Sequence, residues 1–254
     1  VSKVGMRKRF IVGLWNCIKR SAWWMYVIRV VVFDLDGVLV PFRSSWEFLH
    51  RYFGVVDDRL RNENIELFYK GLISYEEWMR RDLTLLTSKG CITKEDVVKA
   101  FKSVELRRGA KELCEYLISN GLELAIVSGG VDVLAHQVGN ALNIRRVYSN
   151  KLLFDEGGCL QPYGVEVVNP LKKDVILTAI STELGVPLSN FMYVGDTVWD
   201  LCAFRVVGYP VVINCEPCLN ILNQWGKEYL VVDELYDIIP FVDEIIRKSV
   251  RSAS

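Results

Sequence analysis

Two aspartates separated by one residue, Asp34 and Asp36, are the first groups in this sequence whose types and spacing could do chemistry. Asp34 is the last residue of Val27–Asp34, and Asp36 follows this run. The run is mostly β-branched, which is typical of a strand buried on both faces of a parallel sheet. Because alternate residues of an extended segment point to the same side, both carboxylates can face one ligand. One could attack phosphorus while the other transfers the proton of the leaving group. A simple turn after a strand explains the same residues equally well.

Three further groups of polar residues lie at the ends of predicted elements. Ser128–Gly130 follow a second buried strand, Lys172–Lys173 open a helix, and Gly195–Asp200 follow a third strand. A serine hydroxyl and glycine amides can bind phosphoryl oxygens, a lysine supplies compensating positive charge, and a third carboxylate suits Mg²⁺. Each group alone is typical of an ordinary turn or helix start. Their occurrence together, in this order, favours one phosphoryl-transfer site.

The elements that must bring these groups together alternate between strands and helices. Beyond the first strand, the sequence predicts strands over Leu122–Val127, Phe191–Val194 and Val211–Ile213, with helices between them, and a hairpin with Lys151–Phe154 as one arm. Repeated strand–helix units imply a parallel sheet with right-handed crossovers, in which ligands bind at the carboxyl ends of the strands. We therefore predict an α/β fold in which the four polar groups meet at one edge of a Rossmann-like parallel sheet.

A helical segment interrupts this alternation after the first strand. Helix start signals occur at Ser44 and Ser45, in the capping box Ser74–Glu77 and at Thr93–Asp96, and together they predict a helical insert of about 60 residues. The predicted organisation is therefore a core formed by residues 28–42 and 105–248, with residues 43–104 as a small helical cap.

Residues 1–27 form a basic segment that is rich in tryptophan. Lys19 and Arg20 interrupt its apolar stretch, so no run reaches the roughly 18 residues that a membrane-spanning helix needs. We interpret the segment as an N-terminal extension without a role in the core. Weak association with a membrane surface is the alternative interpretation.

The four polar groups resemble the motifs of the haloacid dehalogenase-like superfamily. Phe33–Gly37, Val127–Gly130, Lys173 and Val194–Asp200 match those motifs in order and spacing, and the helical insert resembles the small C1 cap. The phosphoserine phosphatase-like members of the superfamily are the most similar, from residue 28 to about residue 240.

The resemblance implies a role in catalysis or phosphate binding for five residues. Asp34 would be the nucleophile and Asp36 the general acid and base. Ser128, Gly129 and Lys173 would bind the phosphate. Dehalogenases of the superfamily lack an acid/base residue two positions after the nucleophile, so Asp36 favours phosphoryl chemistry.

The resemblance also implies a magnesium site. Mg²⁺ would bind Asp34, the backbone carbonyl of Asp36 and Asp196, with Asp200 in a supporting position.

Composition narrows the class of partner. The chain has 254 residues, of which 51% are hydrophobic and 24% charged, so wholesale disorder is excluded. The formal net charge is zero, but seven basic residues precede the first acidic residue, Asp34, which leaves residues 30–254 with a net charge of −7. This negative net charge argues against nucleic-acid binding by residues 30–254. The expected partner is a small-molecule phosphomonoester, and the sequence predicts no oligomeric state.

The seven cysteines are scattered and odd in number. Most lie in apolar stretches, as Cys114 and Cys202 do, so we interpret them as small buried hydrophobic residues in a reducing, cytoplasmic compartment. Cys215 and Cys218 have the spacing of metal ligands or of a redox pair, but no second pair of Cys or His accompanies them.

Three residues are candidates for substrate specificity. Arg43 stands where phosphoserine phosphatases carry a glutamate for the substrate amine, and Asp82 stands where they carry an arginine for its carboxylate. Both charges are reversed, which predicts that phosphoserine is a poor substrate; alternatively, Arg43 and Asp82 pair with each other. Trp199 either packs against the following helix or lines the substrate entrance. His50 and His136 are interpreted as ordinary helix-face residues.

Taken together, the sequence predicts a Mg²⁺-dependent phosphatase that hydrolyses a small-molecule phosphomonoester through an aspartyl phosphate. A cap that closes over the substrate would exclude water while the intermediate forms. Two alternatives stay open: a phosphotransferase with the same chemistry, and a catalytically weak binding or regulatory protein that retains the fold.

Overall fold

A seven-stranded sheet forms the centre of the part of the chain, residues 27–253, that the computed structural model describes. The strands are β1 (Val30–Phe33), β2 (Glu123–Val131), β3 (Arg146–Phe154), β4 (Leu160–Val165), β5 (Phe191–Gly195), β6 (Tyr209–Ile213) and β7 (Leu230–Val232). Their order in the sheet is β4-β3-β2-β1-β5-β6-β7, and only the β3–β4 pair is antiparallel. The predicted N-terminal extension lies outside the described residues, apart from Val27.

Ten α-helices accompany the sheet within residues 27–253. Four of them form the insert after β1: α1 (Ser45–Tyr52), α2 (Asp58–Tyr69), α3 (Tyr75–Thr87) and α4 (Lys94–Phe101). The others are α5 (Ala110–Ser119), α6 (Asp132–Ala141), α7 (Lys173–Leu184), α8 (Leu201–Val206), α9 (Glu216–Gln224) and α10 (Ile238–Ala253). No helix in the described part of the chain is long and apolar enough to cross a membrane.

Strand β1 lies between β2 and β5 and is completely buried. Val31 and Phe33 pack into the hydrophobic cluster on one face of the sheet, and Val30 and Val32 pack into the cluster on the other face. This arrangement explains the continuous β-branched run, because a central parallel strand has no solvent-facing side. The predicted α/β fold with a helical insert after the first strand is confirmed.

The three predicted helix starts in the insert are also confirmed. Ser44 caps α1, Ser74 caps α3, and Thr93 forms a reciprocal capping box with Asp96 at the start of α4. Each cap satisfies backbone N–H groups that have no partner within the helix.

Two elements differ from the prediction. Helix α2 was not predicted, because only Asn64 and Phe68 of its twelve residues are buried and it has no apolar stripe. Strand β3 was predicted to start at Lys151, as one arm of a hairpin. It starts at Arg146 instead, because its first half pairs with β2 before its second half pairs with β4.

The interpretation of the cysteines as unpaired hydrophobic residues is wrong for four of them. Cys91 pairs with Cys159, and Cys215 pairs with Cys218. The loop between α3 and α4 lies against the β3–β4 hairpin and brings the Cα atoms of Cys91 and Cys159 to 5.0 Å. Sequence spacing could not show this contact across 68 residues. The pairing removes the cysteine-based argument for a reducing compartment.

Candidate active site

A cavity of about 420 Å³ lies at the carboxyl edge of the sheet, between β1, β2 and β5 and the helical insert. Its lining includes nine of the residues selected from the sequence: Asp34, Asp36, Arg43, Asp82, Ser128, Gly129, Lys173, Asp196 and Trp199. Residues from five separate stretches of the chain therefore meet in one place: Asp82 of the insert joins the four groups that the parallel topology brings to this edge.

Lys173, the first residue of α7, is the central cation of this edge. It is only 1% exposed, and its Nζ donates hydrogen bonds to Asp34 Oδ2 at 2.6 Å, Asp200 Oδ1 at 2.6 Å and the Tyr193 hydroxyl at 3.1 Å. Burial alone would lower the pKa of Lys173, but the charges of Asp200 and Asp34 outweigh it and raise the pKa above its usual value. Lys173 is therefore a fixed positive charge beside Asp34.

Asp200 stabilises this arrangement by accepting hydrogen bonds from side chains and from the backbone. Its Oδ1 accepts hydrogen bonds from Lys173 and, at 2.7 Å, from the Tyr193 hydroxyl, and its Oδ2 accepts from the backbone N–H groups of Asp196 and Thr197. Both carboxylate oxygens of Asp200 are thus engaged by the protein. Tyr193 was not predicted, although a lone hydroxyl in the buried strand β5 requires a polar partner and could have signalled one.

Asp34 follows β1 directly and is 6% exposed. The backbone N–H of Leu35 donates to its Oδ1 at 2.7 Å, while Lys173 donates to its Oδ2. Burial raises the pKa of Asp34; the charge of Lys173 and the Ser128 hydroxyl oppose this, and the charge of Asp200 adds to it. The Asp34 carboxyl is therefore oriented by two donors at the end of the central strand.

Asp36 is held by one residue of the insert. The backbone N–H and the hydroxyl of Ser45 each donate to Asp36 Oδ2 at 2.8 Å, and Asp36 Oδ1 is buried without a partner among the described residues. Burial raises the pKa of Asp36 to about 7; the Ser45 backbone hydrogen bond opposes this, and the charge of Asp34 adds to it. Ser44 and Ser45 are consecutive, but only one serine can cap α1. The second serine was therefore available for another partner, and this sequence signal for Ser45 was overlooked.

Two glycines allow the close approach of the loops. Gly37 has φ of 75°, and a Cβ atom there would overlap the Asp196 carboxylate. A Cβ atom at Gly130 would lie 2.5 Å from Ser45 Oγ and 2.7 Å from Asp36 Oδ2. Larger residues at either position would push the carboxylates apart.

The carboxylates around Lys173 fit a divalent cation. Oxygen atoms of Asp34, Asp196 and Asp200 lie within 4.8 Å of one another, and Asp196 Oδ1 is buried without a partner among the described residues. Burial, followed by the charges of Asp200 and Asp34, raises the pKa of Asp196 to about 8. Hard oxygen ligands with surplus negative charge suit Mg²⁺. Each oxygen of Asp200 accepts at least two hydrogen bonds, whereas each oxygen of Asp34 accepts one of those described above and Asp196 Oδ1 accepts none, so the carboxylates of Asp34 and Asp196 are the more available ones.

The carbonyl of Gly129 joins the insert to the C-terminal part of β2. It accepts hydrogen bonds from Trp46 Nε1 at 3.0 Å, the Tyr75 hydroxyl at 2.6 Å and Asn150 Nδ2 at 2.9 Å. The side-chain oxygen of Asn150 also accepts from the N–H groups of Val167 and Val168. The C-terminal part of β2, which contains Ser128, is therefore fixed by α1, α3 and β3 together.

Arg43 and Asp82 both line the cavity, but no ion pair joins them within residues 27–253. Arg43 lies near enough to Asp196 to lower its pKa, whereas Asp82 faces Asn64, whose Nδ2 lies 3.4 Å from Asp82 Oδ1. Burial raises the pKa of Asp82 to about 7. The alternative in which Arg43 and Asp82 neutralise each other is therefore wrong.

Trp199 contacts the insert as well as the cavity. Its ring stacks on Tyr69 with centroids 4.3 Å apart and on Phe68 at 5.9 Å. Within the insert, His50 Nε2 donates to the backbone carbonyl of Asp82 at 3.0 Å, and burial lowers the pKa of His50. His50 thus lines the cavity while supporting α3, whereas His136 is exposed on α6.

Because helix α2 was not predicted, a cationic residue of the cavity wall that lies in it was not predicted either. Arg61 lines the cavity and pairs with Glu47 Oε2 at 2.7 Å. The adjacent arginines of α3, Arg80 and Arg81, pair with Glu77 instead.

The chain matches known proteins over most of its length. Residues 28–208 match the family model described as haloacid dehalogenase-like hydrolase. The phosphoserine phosphatase of Methanocaldococcus jannaschii is 27% identical over 194 residues, which cover 76% of this chain and 88% of that protein. The phosphoserine phosphatase of Lactococcus lactis subsp. lactis is 25% identical over 220 residues, covering 86% of this chain and 97% of that protein.

A solved structure of a phospho-aspartyl intermediate analogue of phosphoserine phosphatase is similar to most of the described fold. Its TM-score is 0.68 at 25% identity, and the match covers 85% of this chain and 99% of that one. The chain belongs to the haloacid dehalogenase-like hydrolase family, in its phosphoserine phosphatase-like subfamily, and is a phosphoric monoester hydrolase.

Proposed function

We propose that this enzyme is a Mg²⁺-dependent phosphatase that hydrolyses a small-molecule phosphomonoester through a phosphorylated Asp34. One observation carries the proposal: the Asp34 carboxylate, held by Lys173, lines the same cavity as Asp36, whose Oδ1 is buried without a partner among the described residues. A nucleophile beside a second carboxyl group is the arrangement that covalent phosphoryl transfer needs.

In the first step, an Asp34 oxygen attacks phosphorus and the bond from phosphorus to the leaving-group oxygen breaks. Asp36 gives its proton to that oxygen, so the leaving group departs as an alcohol. The burial that raises the pKa of Asp36 to about 7 supports this role, because the group can then hold a proton near neutral pH. The two Ser45 donors fix Asp36 Oδ2 and leave Oδ1 for the leaving group.

In the second step, Asp36 accepts a proton from water, and the water oxygen attacks the phosphorus of the Asp34 acyl phosphate. The bond between phosphorus and Asp34 breaks, which releases inorganic phosphate and regenerates the carboxylate. Lys173, Ser128 and the amide of Gly129 would bind the phosphoryl oxygens in both steps. The charge of Lys173 is fixed in place for this role, because Lys173 is buried and hydrogen-bonded to Asp34.

Mg²⁺ would bind the carboxylates of Asp34 and Asp196 and the backbone carbonyl of Asp36, with Asp200 supporting Lys173 and the loop. When bound, the cation would reduce the repulsion between these carboxylates and the phosphate. The unpartnered Asp196 Oδ1 and the raised pKa of Asp196 support this assignment.

We also propose that residues 43–104 act as a cap over a core of residues 28–42 and 105–248. The hydrogen bonds from Trp46 and Tyr75 to Gly129, and the stack of Tyr69 on Trp199, support a closed position over the phosphate site. A closed cap excludes water from the reaction.

The charges of the cavity support a substrate other than phosphoserine. Arg43 and Asp82 carry the opposite charges to those that the family uses for the amine and the carboxylate of phosphoserine, and the two do not neutralise each other. Like charges in a closed site cost several kcal/mol, so phosphoserine should be hydrolysed poorly.

Hydrolysis of phenyl phosphate, with Mg²⁺ and with a chelator, tests the proposed activity. We expect release of phosphate that requires Mg²⁺ and disappears in the Asp34→Asn variant. Transfer of the phosphoryl group to an added alcohol, in preference to water, would instead establish a phosphotransferase. Binding of phosphate esters without turnover would establish a binding protein and contradict the proposal.

A further inference from the structure

The part of the cavity that the helical insert supplies combines apolar or aromatic side chains with polar ones. The apolar and aromatic side chains come from α1, α2 and α3: Trp46, Ile65, Tyr75, Trp78 and Met79; the polar ones are Arg43, Ser44, Glu47, His50, Arg61 and Asp82. The polar atoms of Trp46 and Tyr75 are already bonded to the Gly129 carbonyl, and Arg61 is paired with Glu47. This wall therefore offers the C–H groups of a leaving group large flat surfaces that lie between polar side chains.

Two polar groups of this wall are left without good partners. Trp78 Nε1 is buried and has no hydrogen-bond acceptor among the described residues. The Asp82 carboxyl, in a residue only 7% exposed, has one long contact, to Asn64 Nδ2 at 3.4 Å. A buried polar group without a partner is unfavourable in the folded protein, so a ligand that supplies one gains binding energy.

Trp78 and Asp82 are also neighbours. They are four residues apart on α3, which places both on the same face of the helix. The indole N–H of Trp78 is close enough to lower the pKa of the Asp82 carboxyl, although the two groups are not aligned as a hydrogen bond. The cavity therefore presents a donor and an acceptor side by side.

A hydroxyl group satisfies this pair, because its O–H donates to Asp82 while its oxygen accepts from Trp78 N–H. An ammonium group can donate to Asp82 but has no lone pair for the indole N–H. A carboxylate can accept from the indole but would face the same charge on Asp82 once Asp82 is ionised, above about pH 7. Both charged ends of an amino acid are therefore disfavoured at this position, and Arg43 lies on the Asp196 side of the cavity.

We propose that Trp78 and Asp82 together bind one hydroxyl of the leaving group, and that the substrates are polyol or sugar phosphates. This inference rests on the proposed phosphatase function and adds the substrate class to it. The cavity of about 420 Å³ is of the size that small-molecule sites have. The aromatic side chains around the pair would pack against the C–H groups of the same carbon chain.

The test compares hydroxylated substrates with analogues, and one pair, glycerol 1-phosphate and propyl phosphate, differs only in hydroxyl groups. We would measure kcat/KM with Mg²⁺ for glycerol 1-phosphate, erythritol 4-phosphate and ribose 5-phosphate, for propyl phosphate as the analogue without hydroxyls, for phosphoserine and for phenyl phosphate. The best polyol or sugar phosphate should exceed both propyl phosphate and phosphoserine by at least about tenfold, since a site built for a hydroxyl rejects analogues that lack it.

Variants then test whether Trp78 and Asp82 cause the preference for hydroxylated substrates. Trp78→Phe keeps the ring and removes the N–H, and it should reduce the preference for the best hydroxylated substrate over propyl phosphate by about tenfold, as should Asp82→Leu. The matched control is Trp225→Phe, because Trp225 is 45% exposed at the end of α9, outside the cavity. It should leave the preference unchanged.

Two results would overturn the inference, and they differ from a failure of the phosphatase function. If phenyl phosphate is hydrolysed but propyl phosphate or phosphoserine equals the best hydroxylated substrate, the substrate class is wrong. If Trp78→Phe lowers kcat/KM equally for propyl phosphate and the hydroxylated substrate, the N–H does not bind a hydroxyl. If the wild-type enzyme hydrolyses none of these esters, including phenyl phosphate, the proposed function fails together with the inference.

Discussion

The two ends of the cavity are built in different ways. At the phosphate end, charged side chains follow strands or open α7, and most of their atoms are fixed by hydrogen bonds to one another, as around Lys173. At the cap end, side chains from α1, α2 and α3 form an aromatic wall in which Trp78 Nε1 has no partner among the described residues. Under the proposed function, the rigid charged edge would perform the chemistry and the insert would select the leaving group.

The largest effect should come from the phosphate end. Asp36→Asn removes the group that protonates the leaving oxygen, and it should lower kcat by roughly 10²- to 10⁴-fold. If the two ends are separable, the loss should be similar for every alkyl phosphate, hydroxylated or not. Steady-state kinetics with glycerol 1-phosphate and propyl phosphate measure this. A loss confined to one of the two would mean that Asp36 also selects the substrate.

The next effect concerns how the insert is fixed to the core. Replacing both Cys91 and Cys159 with Ser opens a covalent loop of 68 residues, and it should lower the free energy of unfolding by about 4 kcal/mol. Urea denaturation measures this, with Cys215→Ser plus Cys218→Ser as a control, because that disulfide spans only 3 residues and should contribute less than about 2 kcal/mol. Equal decreases in the free energy of unfolding of the two variants would contradict the expectation that the Cys91–Cys159 disulfide fixes the insert to the core.

A smaller effect should appear in the pH dependence of stability. Burial raises the pKa of Asp82 from 3.8 to about 7, so the folded protein keeps a proton that the unfolded chain has already lost. This group therefore destabilises the fold increasingly as the pH rises from about 4, and the effect levels off above pH 7. Relative to Asp82→Asn, the wild-type protein should lose about 3 kcal/mol between pH 5 and pH 8. Urea denaturation at several pH values measures this. If the free energies of unfolding of the wild-type protein and Asp82→Asn differ by the same amount at pH 5 and at pH 8, the burial of Asp82 is contradicted.

The same comparison explains what could be predicted from the sequence. Asp34, Ser128 and Asp196 were predictable because each lies in or just after a buried strand, and parallel strands bring such positions to one edge. The supporting residues Ser45 and Tyr193 were not predicted, because their roles depend on which side chains lie opposite them in space.

The cap end was much less predictable. Helix α2 has only two buried residues, so no apolar pattern marked it, and Arg61 was missed with it. The pairing of Cys91 with Cys159 and the lone indole N–H of Trp78 depend on how the insert packs on the β3–β4 hairpin and over the cavity. Such contacts join distant parts of the chain, and no local spacing encodes them.

The most direct test is to identify the residue that carries the phosphoryl group. The wild-type enzyme would be mixed with a ³²P-labelled phosphomonoester and Mg²⁺, quenched in acid and digested, and the labelled peptide would be identified. We predict a label that hydroxylamine removes, as it does from an acyl phosphate, on the peptide that contains Asp34, and no label in Asp34→Asn. A label on Ser128 or any other residue, or turnover by Asp34→Asn at a rate near that of the wild-type enzyme, would contradict the proposed mechanism.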